Sequence, residues 1–276
     1  MIVGVGAAAA RLGRPVAVSS TVLEETIEGV ALGEVLDLVE PDAVVICEPS
    51  SLQVKTAQRG RIEITLEARG VPAHAAHPER GSNPIDHMAR ALRILAQTDP
   101  PEDDQLGPGI LVATDVVSDP FPSISLISTT VTVRFDRRTL PGEESDQVLE
   151  DLVRIVDHVA PGCFSARATS DTVVAYTGAT IAPLRVMAPW RIDPEHPLVQ
   201  TCLEAVTIAG AAPELGVWGF CTNGSESARR GIPTIGFGPG RESDAHIEDE
   251  SVSVTEIQTA AVVYQHLALF VAREPA

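Results

Sequence analysis

The stretch Ala43-Val44-Val45-Ile46-Cys47-Glu48-Pro49, followed shortly by Arg61-Ile62-Glu63-Ile64-Thr65-Leu66-Glu67-Ala68, holds two incompatible hydrophobic patterns. The first is a continuous apolar run, as in a parallel strand covered on both faces. The second sets Ile62, Ile64, Leu66 and Ala68 against Arg61, Glu63, Thr65 and Glu67, the period of a strand with one wet face. Near residue 60 the chain therefore leaves a two-sided α/β layer and enters an antiparallel sheet.

Working outward, residues 1–12 read as a small-residue helix stopped by Gly13, and 15–23 as a second buried strand. Residues 34–39 form a short helical pattern. Beyond residue 68 come an amphipathic helix over 83–97 (Ile85, Met88, Leu92, Leu95), a β-branched strand over 124–135 and a helix over 144–159. That last helix would bury Val148, Leu149, Leu152, Ile155, Val156 and Val159. After Thr177 and Gly178 the α/β texture returns, with a helix over 197–209, the turn Thr222-Asn223-Gly224, a strand over 234–237 and a helix over 255–271. The expected fold class is an α/β domain split into 1–59 and 176–276, interrupted by an α+β sandwich over 60–175.

The 276 residues have 44% hydrophobic and 21% charged residues, within the globular range, and no unbroken apolar stretch of membrane-spanning length. A net charge of −18, spread over all three segments with no basic block, leaves little to bind nucleic acid, so small molecules or protein are the expected partners. Cys47, Cys163, Cys202 and Cys221 are far apart and form no CxxC pair. Met1 opens on an apolar run without the charged segment of a secretory signal; a reduced cytoplasm is the expected location.

The candidate chemistry lies just past strand ends, where open α/β sheets bind ligands. Glu24 and Glu25 follow the expected strand over 15–23, and Glu48 follows 43–47. Each also reads as a solvated edge or cap. His246 is lifted out on the turn Gly236-Phe237-Gly238-Pro239-Gly240-Arg241-Glu242-Ser243-Asp244-Ala245, a setting for a zinc ligand or an ordinary surface histidine. His74 and His77 have a spacing that invites a metal reading, set in what looks like a loop. Arg137-Arg138 offer a planar fork for a carboxylate, or a partner for Asp136 or Glu143.

Taken in order, six motifs resemble the dinuclear-zinc amidohydrolase and peptidase family of acetylornithine deacetylase, succinyl-diaminopimelate desuccinylase, aminoacylase and carboxypeptidase G. They are the Glu-Glu strand end, Pro41-Asp42-x-Val-Val-x-Cys-Glu-Pro, Gly70-x-x-Ala-His74 with Pro78-Glu-x-Gly-x-Asn83, Asp136-Arg-Arg, Thr222-Asn-Gly, and Gly236-Phe-Gly-Pro-Gly leading to Ala245-His246. The resemblance implies a zinc-peptidase-like catalytic domain with an inserted lid and dimerisation domain. Glu24 would be the general base, and Glu25 a ligand to one metal together with His246. Glu48 would be the carboxylate ligand to the other, and His74 the lid histidine that polarises the scissile carbonyl of a partner subunit's substrate. Arg138, Thr222, Asn223 and Gly224 would line the substrate pocket. Two zinc ions (or cobalt or manganese), an N-acyl amino acid or peptide substrate, and a homodimer through the lid follow from the same resemblance.

The family's early His-x-Asp motif and its bridging aspartate have no counterpart. The nearest candidates are His77-Pro78-Glu79 and His246-Ile247-Glu248. Three of five ligand positions remain, against the three protein ligands that one catalytic zinc usually takes. The expectation is an N-terminally truncated member with impaired hydrolysis. The alternative is a non-catalytic dimerising or binding protein that retains the lid.

Overall fold

The computed structural model describes residues 1–12 and 16–271. The chain divides into two compact units, Met1–Arg59 with Met187–Ala276, and Gly60–Val186. Before the insertion come α1 (Ile2–Leu12), α2 (Val30–Val39), β1 (Val44–Ile46) and β2 (Val54–Gln58). The inserted unit holds β3 (Gly60–Arg69), α3 (Pro84–Leu95), β4 (Ile110–Asp119), β5 (Thr130–Thr139), α4 (Ser145–Val156) and β6 (Phe164–Ala168). The outer unit resumes with β7 (Trp190–Arg191), α5 (Pro197–Ile208), β8 (Leu215–Trp218), α6 (Gly224–Arg229), β9 (Thr234–Gly236) and α7 (Val254–Val271).

In the outer unit, β1 runs parallel to β9, with Val44 opposite Thr234 and Ile46 opposite Gly236. β9 meets β2 antiparallel at Gly236 and Lys55, and β2 pairs in turn with β8 in parallel and β7 antiparallel. Val54, Ile235 and Phe237 pack with Val199, Cys202, Ala205 and Val206 of α5 and with Val263 of α7. The apolar run over 43–47 thus became the parallel strand its composition suggested. The run over 15–23 did not become a strand. Residues 16–21 are irregular, and Ala17 to Ser20 are exposed. A strand exists only where a neighbour takes its N–H and C=O groups, and hydrophobicity alone supplies none. Gly13 and Pro15 lie outside the described residues.

The inserted unit is an antiparallel sheet in the order β4, β5, β3, β6. β3 and β5 pair along their whole length, from Gly60 opposite Thr139 to Arg69 opposite Thr130. Ile62, Ile64, Leu66 and Ala68 all point into one core with Met88, Ala91 and Leu95 of α3 and Leu152 and Val156 of α4. Asn83 caps α3 by accepting from the Ile85 N–H at 3.1 Å, and Pro84 opens its first turn, where a missing N–H costs nothing.

Three expectations and one omission need correcting here. Ile85 is 48% exposed and faces away from the core. The strand expected over 124–135 begins at Thr130, because Ser123 to Ser125 form an irregular loop and Ile124 is 83% exposed. β4 was not foreseen, since it is exposed along most of its length and carries no burial period. Residues 176–186, assigned to the outer domain on sequence, fall within the inserted unit. There the Arg185 N–H donates to the Thr169 carbonyl at 2.8 Å, and the Arg185 carbonyl accepts from the Glu63 N–H at 3.0 Å.

Candidate active site

Because β1 and β9 are parallel, the turns that follow them emerge side by side. The first carries Glu48-Pro49-Ser50 and the second Gly238-Pro239-Gly240. Only glycine fits at 238, where a Cβ would sit 2.3 Å from the Glu48 carbonyl oxygen. Ser50 Oγ accepts from the Gly238 N–H at 2.9 Å and donates to the Gln53 carbonyl at 2.8 Å. The Ser51 N–H donates to the Gly240 carbonyl at 2.7 Å. Trp218 closes the arrangement from beneath. Its indole N–H donates to the Pro49 carbonyl at 2.8 Å, and its ring lies so close over Gly236 that a Cβ there would be 2.1 Å from the ring edge.

A cleft of about 570 Å³ opens at this edge of the sheet, and its lining includes Thr21, Glu24, Glu25, Cys47, Glu48 and Asn223. Glu24 is half-buried, and its carboxyl is pushed up to about 7, first by burial and then by the charges of Glu48, Glu25 and Glu28; a hydrogen bond from the Asn223 backbone N–H opposes this. Glu48 is also held above the ordinary carboxylate range, by burial and by Glu25, with His246 acting against them. His246 Nε2 lies 3.4 Å from Glu25 Oε2. His246 sits in the left-handed region at φ +61°, a strained setting for a non-glycine residue, and its N–H donates to Glu250 at 3.0 Å.

The fold thus brings Glu24, Glu25, Glu48 and His246 to one place. The charges of Glu48 and Glu25 raise the proton affinity of Glu24, and that of Glu25 raises Glu48's, a cost that a divalent cation relieves. Carboxylate oxygens with one imidazole suit zinc and similar ions. The donor chemistry fits; the donor count does not complete a site. Among the described residues no group of three or more His, Cys, Asp or Glu stands close enough to hold a metal ion.

In the turn Thr222-Asn223-Gly224, only Asn223 lines the cleft. Thr222 is buried; its hydroxyl donates to Gln58 Oε1 at 2.7 Å and accepts from the Gly224 N–H at 3.0 Å. Gly224 is buried too, and a Cβ there would lie 2.9 Å from the Trp190 indole nitrogen. These two residues brace the turn. Gln58, which the sequence did not single out, is fully buried, and its amide donates to Ser225 Oγ at 2.9 Å. Its only local signal was a polar residue at the end of a buried strand.

His74 and Arg138 belong to the inserted unit. His74 is exposed on a loop fixed by the Ala75 N–H to the Ser125 carbonyl at 3.0 Å, and its Nδ1 accepts from the Ala76 N–H at 3.1 Å. That bond places the proton of the neutral ring on Nε2, which is left as an outward donor. The His74 and His77 rings are tilted, with centroids 6.2 Å apart. Arg138 Nε is 2.7 Å from Asp136 Oδ1, and Asp136 also takes Arg61 at 3.0 Å. The fork of Arg138 is thus engaged by the aspartate that precedes it on β5.

Residues 56–162 match the family model of the peptidase dimerisation domain of M20 peptidases. Over 258 residues the chain is 31% identical to YgeY, an uncharacterised protein of Escherichia coli strain K12, covering 91% of this chain and 64% of that protein. It is 24% identical over 237 residues to succinyl-diaminopimelate desuccinylase of a Sulfurovum species, covering 83% of this chain and 59% of the relative. The chain thus spans less than two thirds of the length of these curated relatives. Among solved structures, aminopeptidase PepT of Bacillus cereus superposes with a TM-score of 0.67 at 17% identity, covering 92% of this chain and 63% of that one. The YXEP protein of Bacillus subtilis, described as a dinuclear metal-binding peptidase of the M20 family, gives 0.62 at 13% identity, covering 90% and 62%. Residues 56–162 thus match the M20 peptidase dimerisation domain, and the chain shares the fold of solved M20 peptidases.

Proposed function

We propose that the protein hydrolyses amide bonds in N-acyl amino acids or small peptides with the help of two divalent metal ions, in the cytoplasm. The observation that carries this reading is the convergence of Glu24, Glu25, Glu48 and His246 at the end of the parallel pair β1 and β9. Glu25 and His246 would hold one ion and Glu48 the other, whether zinc, cobalt or manganese. When bound, such ions supply Lewis-acid activation of the carbonyl and of a nucleophilic water. Glu24, with a proton affinity set near neutrality, takes the proton of the attacking water at its carboxylate and returns it to the leaving amine. His74, with its proton on Nε2, would donate to the developing oxyanion of a substrate held by the partner subunit. Asn223 lies on the cleft wall, and the buried Thr222 and Gly224 brace the turn that carries it, while Arg138, expected at the substrate's carboxylate end, has its fork engaged by Asp136.

The three ligand positions of this chain are fewer than two zinc sites require. Hydrolysis by the 276 residues alone is therefore expected to be slight in the presence of zinc, cobalt or manganese, with turnover in an N-terminally extended form. The check is amine release from N-acyl amino acids and dipeptides by both forms. Robust metal-dependent turnover by the 276-residue chain would overturn the view that its ligand set is incomplete. A second reading, a non-catalytic dimerising protein, draws on the lack of any three-donor metal group among the described residues, and inactivity of both forms would favour it.

The partner expected through the inserted unit is a second copy. β4 forms one end of its sheet, with Val112, Val116 and Val117 about half exposed or more, a long apolar edge that invites strand pairing. Val116→Lys is expected to turn a dimer into a monomer in sedimentation at micromolar concentration. A dimer unchanged by that charge would move the interface elsewhere.

A further inference from the structure

We propose that Asn223 is a positioning residue for the acidic loop over 21–29, rather than a contact for substrate. The inference rests on the reading of Glu24 and Glu25 given above. Asn223 holds two groups on that loop at once. Its Oδ1 accepts from the Gly29 N–H at 2.6 Å, and its Nδ2 donates to Thr21 Oγ1 at 3.0 Å. Both ends of the loop are therefore tied to one residue. The two bonds fix the orientation of the side-chain amide toward the loop.

The loop needs such a tie. It is not part of the sheet, as residues 16–21 are irregular, and Leu23 sits at φ +63°. Its internal bonds are short-range, such as the Ile27 N–H to the Leu23 carbonyl at 2.9 Å. Asn223 itself is held from behind by buried groups. Gln58 on β2 binds the Thr222 hydroxyl and Ser225 Oγ, and the Thr222 carbonyl accepts from the Ser225 N–H at 3.1 Å. A linked set of hydrogen bonds therefore runs from the rigid strand β2 through the turn to the loop that presents Glu24 and Glu25. Buried, satisfied networks of this kind fix one conformation.

The test compares the wild-type chain with Asn223→Ala and Asn223→Asp by hydrogen exchange and mass spectrometry. In Asn223→Ala, peptides covering 21–29 are expected to exchange at least tenfold faster, while those from β2 and β9 stay protected. Asn223→Asp keeps the acceptor for Gly29 and can accept from the Thr21 hydroxyl, so it is expected to restore most of the protection. Unchanged exchange in Asn223→Ala would overturn the proposal. In whichever form turns over substrate, Asn223→Ala is expected to lower kcat at least tenfold with little change in KM, with partial rescue by aspartate. A rise in KM at constant kcat would return Asn223 to substrate binding. Should no form turn over substrate, the hydrolase reading fails, and the exchange result still decides whether Asn223 holds the loop.

Discussion

Glu24→Gln is expected to lower amide hydrolysis by about 10²–10⁴-fold in a form that turns over, the range that general base catalysis supplies, while metal content by elemental analysis stays the same. Loss of metal together with activity would reassign Glu24 as a ligand. The same substitution has a second, opposite effect on the metal-free chain. The Glu24 carboxyl is pushed up to about 7 in the fold, from an ordinary value of 4.5, by burial and by its acidic neighbours. The folded state therefore binds the proton more tightly than the unfolded state, and stability falls as pH rises from 4.5 to 7. Below that window the acid is neutral in both states and costs nothing. Above it the full penalty applies, about 1 kcal/mol once solvent screening of a half-exposed group is allowed for. Chelated Glu24→Gln should thus be more stable than wild type at pH 8 and equal at pH 4. Equal denaturation midpoints at both values would show that Glu24 is not under strain from its neighbours.

Trp218→Ala carries the largest expected loss of stability, about 3–5 kcal/mol, the range for deleting a fully buried aromatic side chain. Trp218 is completely buried, stacks near Phe220 with centroids 5.6 Å apart and fills the space above Gly236. The substitution also orphans the Pro49 carbonyl, which accepts the indole N–H directly behind Glu48. For a unit of this size the thermal midpoint is expected to drop by roughly 10 °C. Trp218→Phe, which refills much of the volume and loses only the hydrogen bond, should cost less than half as much. Equal losses for the two would place the energy in the hydrogen bond rather than the packing.

The residues that were legible in the sequence are those whose roles follow from their own neighbours. Ile62 to Ala68 announce a half-buried strand by alternation, and Val44 to Ile46 a covered one by continuity. The acids Glu24, Glu25 and Glu48 were found because they follow apolar runs, even though the run before Glu24 is not a strand in the fold. β4 was missed because an exposed edge has no burial period to read. Gln58 was missed because its meaning lies in Thr222 and Ser225, more than 160 residues away. The left-handed backbone of His246 was equally invisible, since no glycine or asparagine marks it.

The placement of the aromatic residues determines how unfolding will look to an observer. The chain has two tryptophans, Trp190 and Trp218, both buried in the outer unit, and the inserted unit of Gly60–Val186 has none. Intrinsic emission excited at the red edge therefore reports on one unit alone. Far-ultraviolet circular dichroism, weighted by the β-sheet and helices of both, reports on the two together. If the units melt separately, the two optical signals will trace different curves from the same sample, and a single midpoint from fluorescence will describe only the half that carries Glu24.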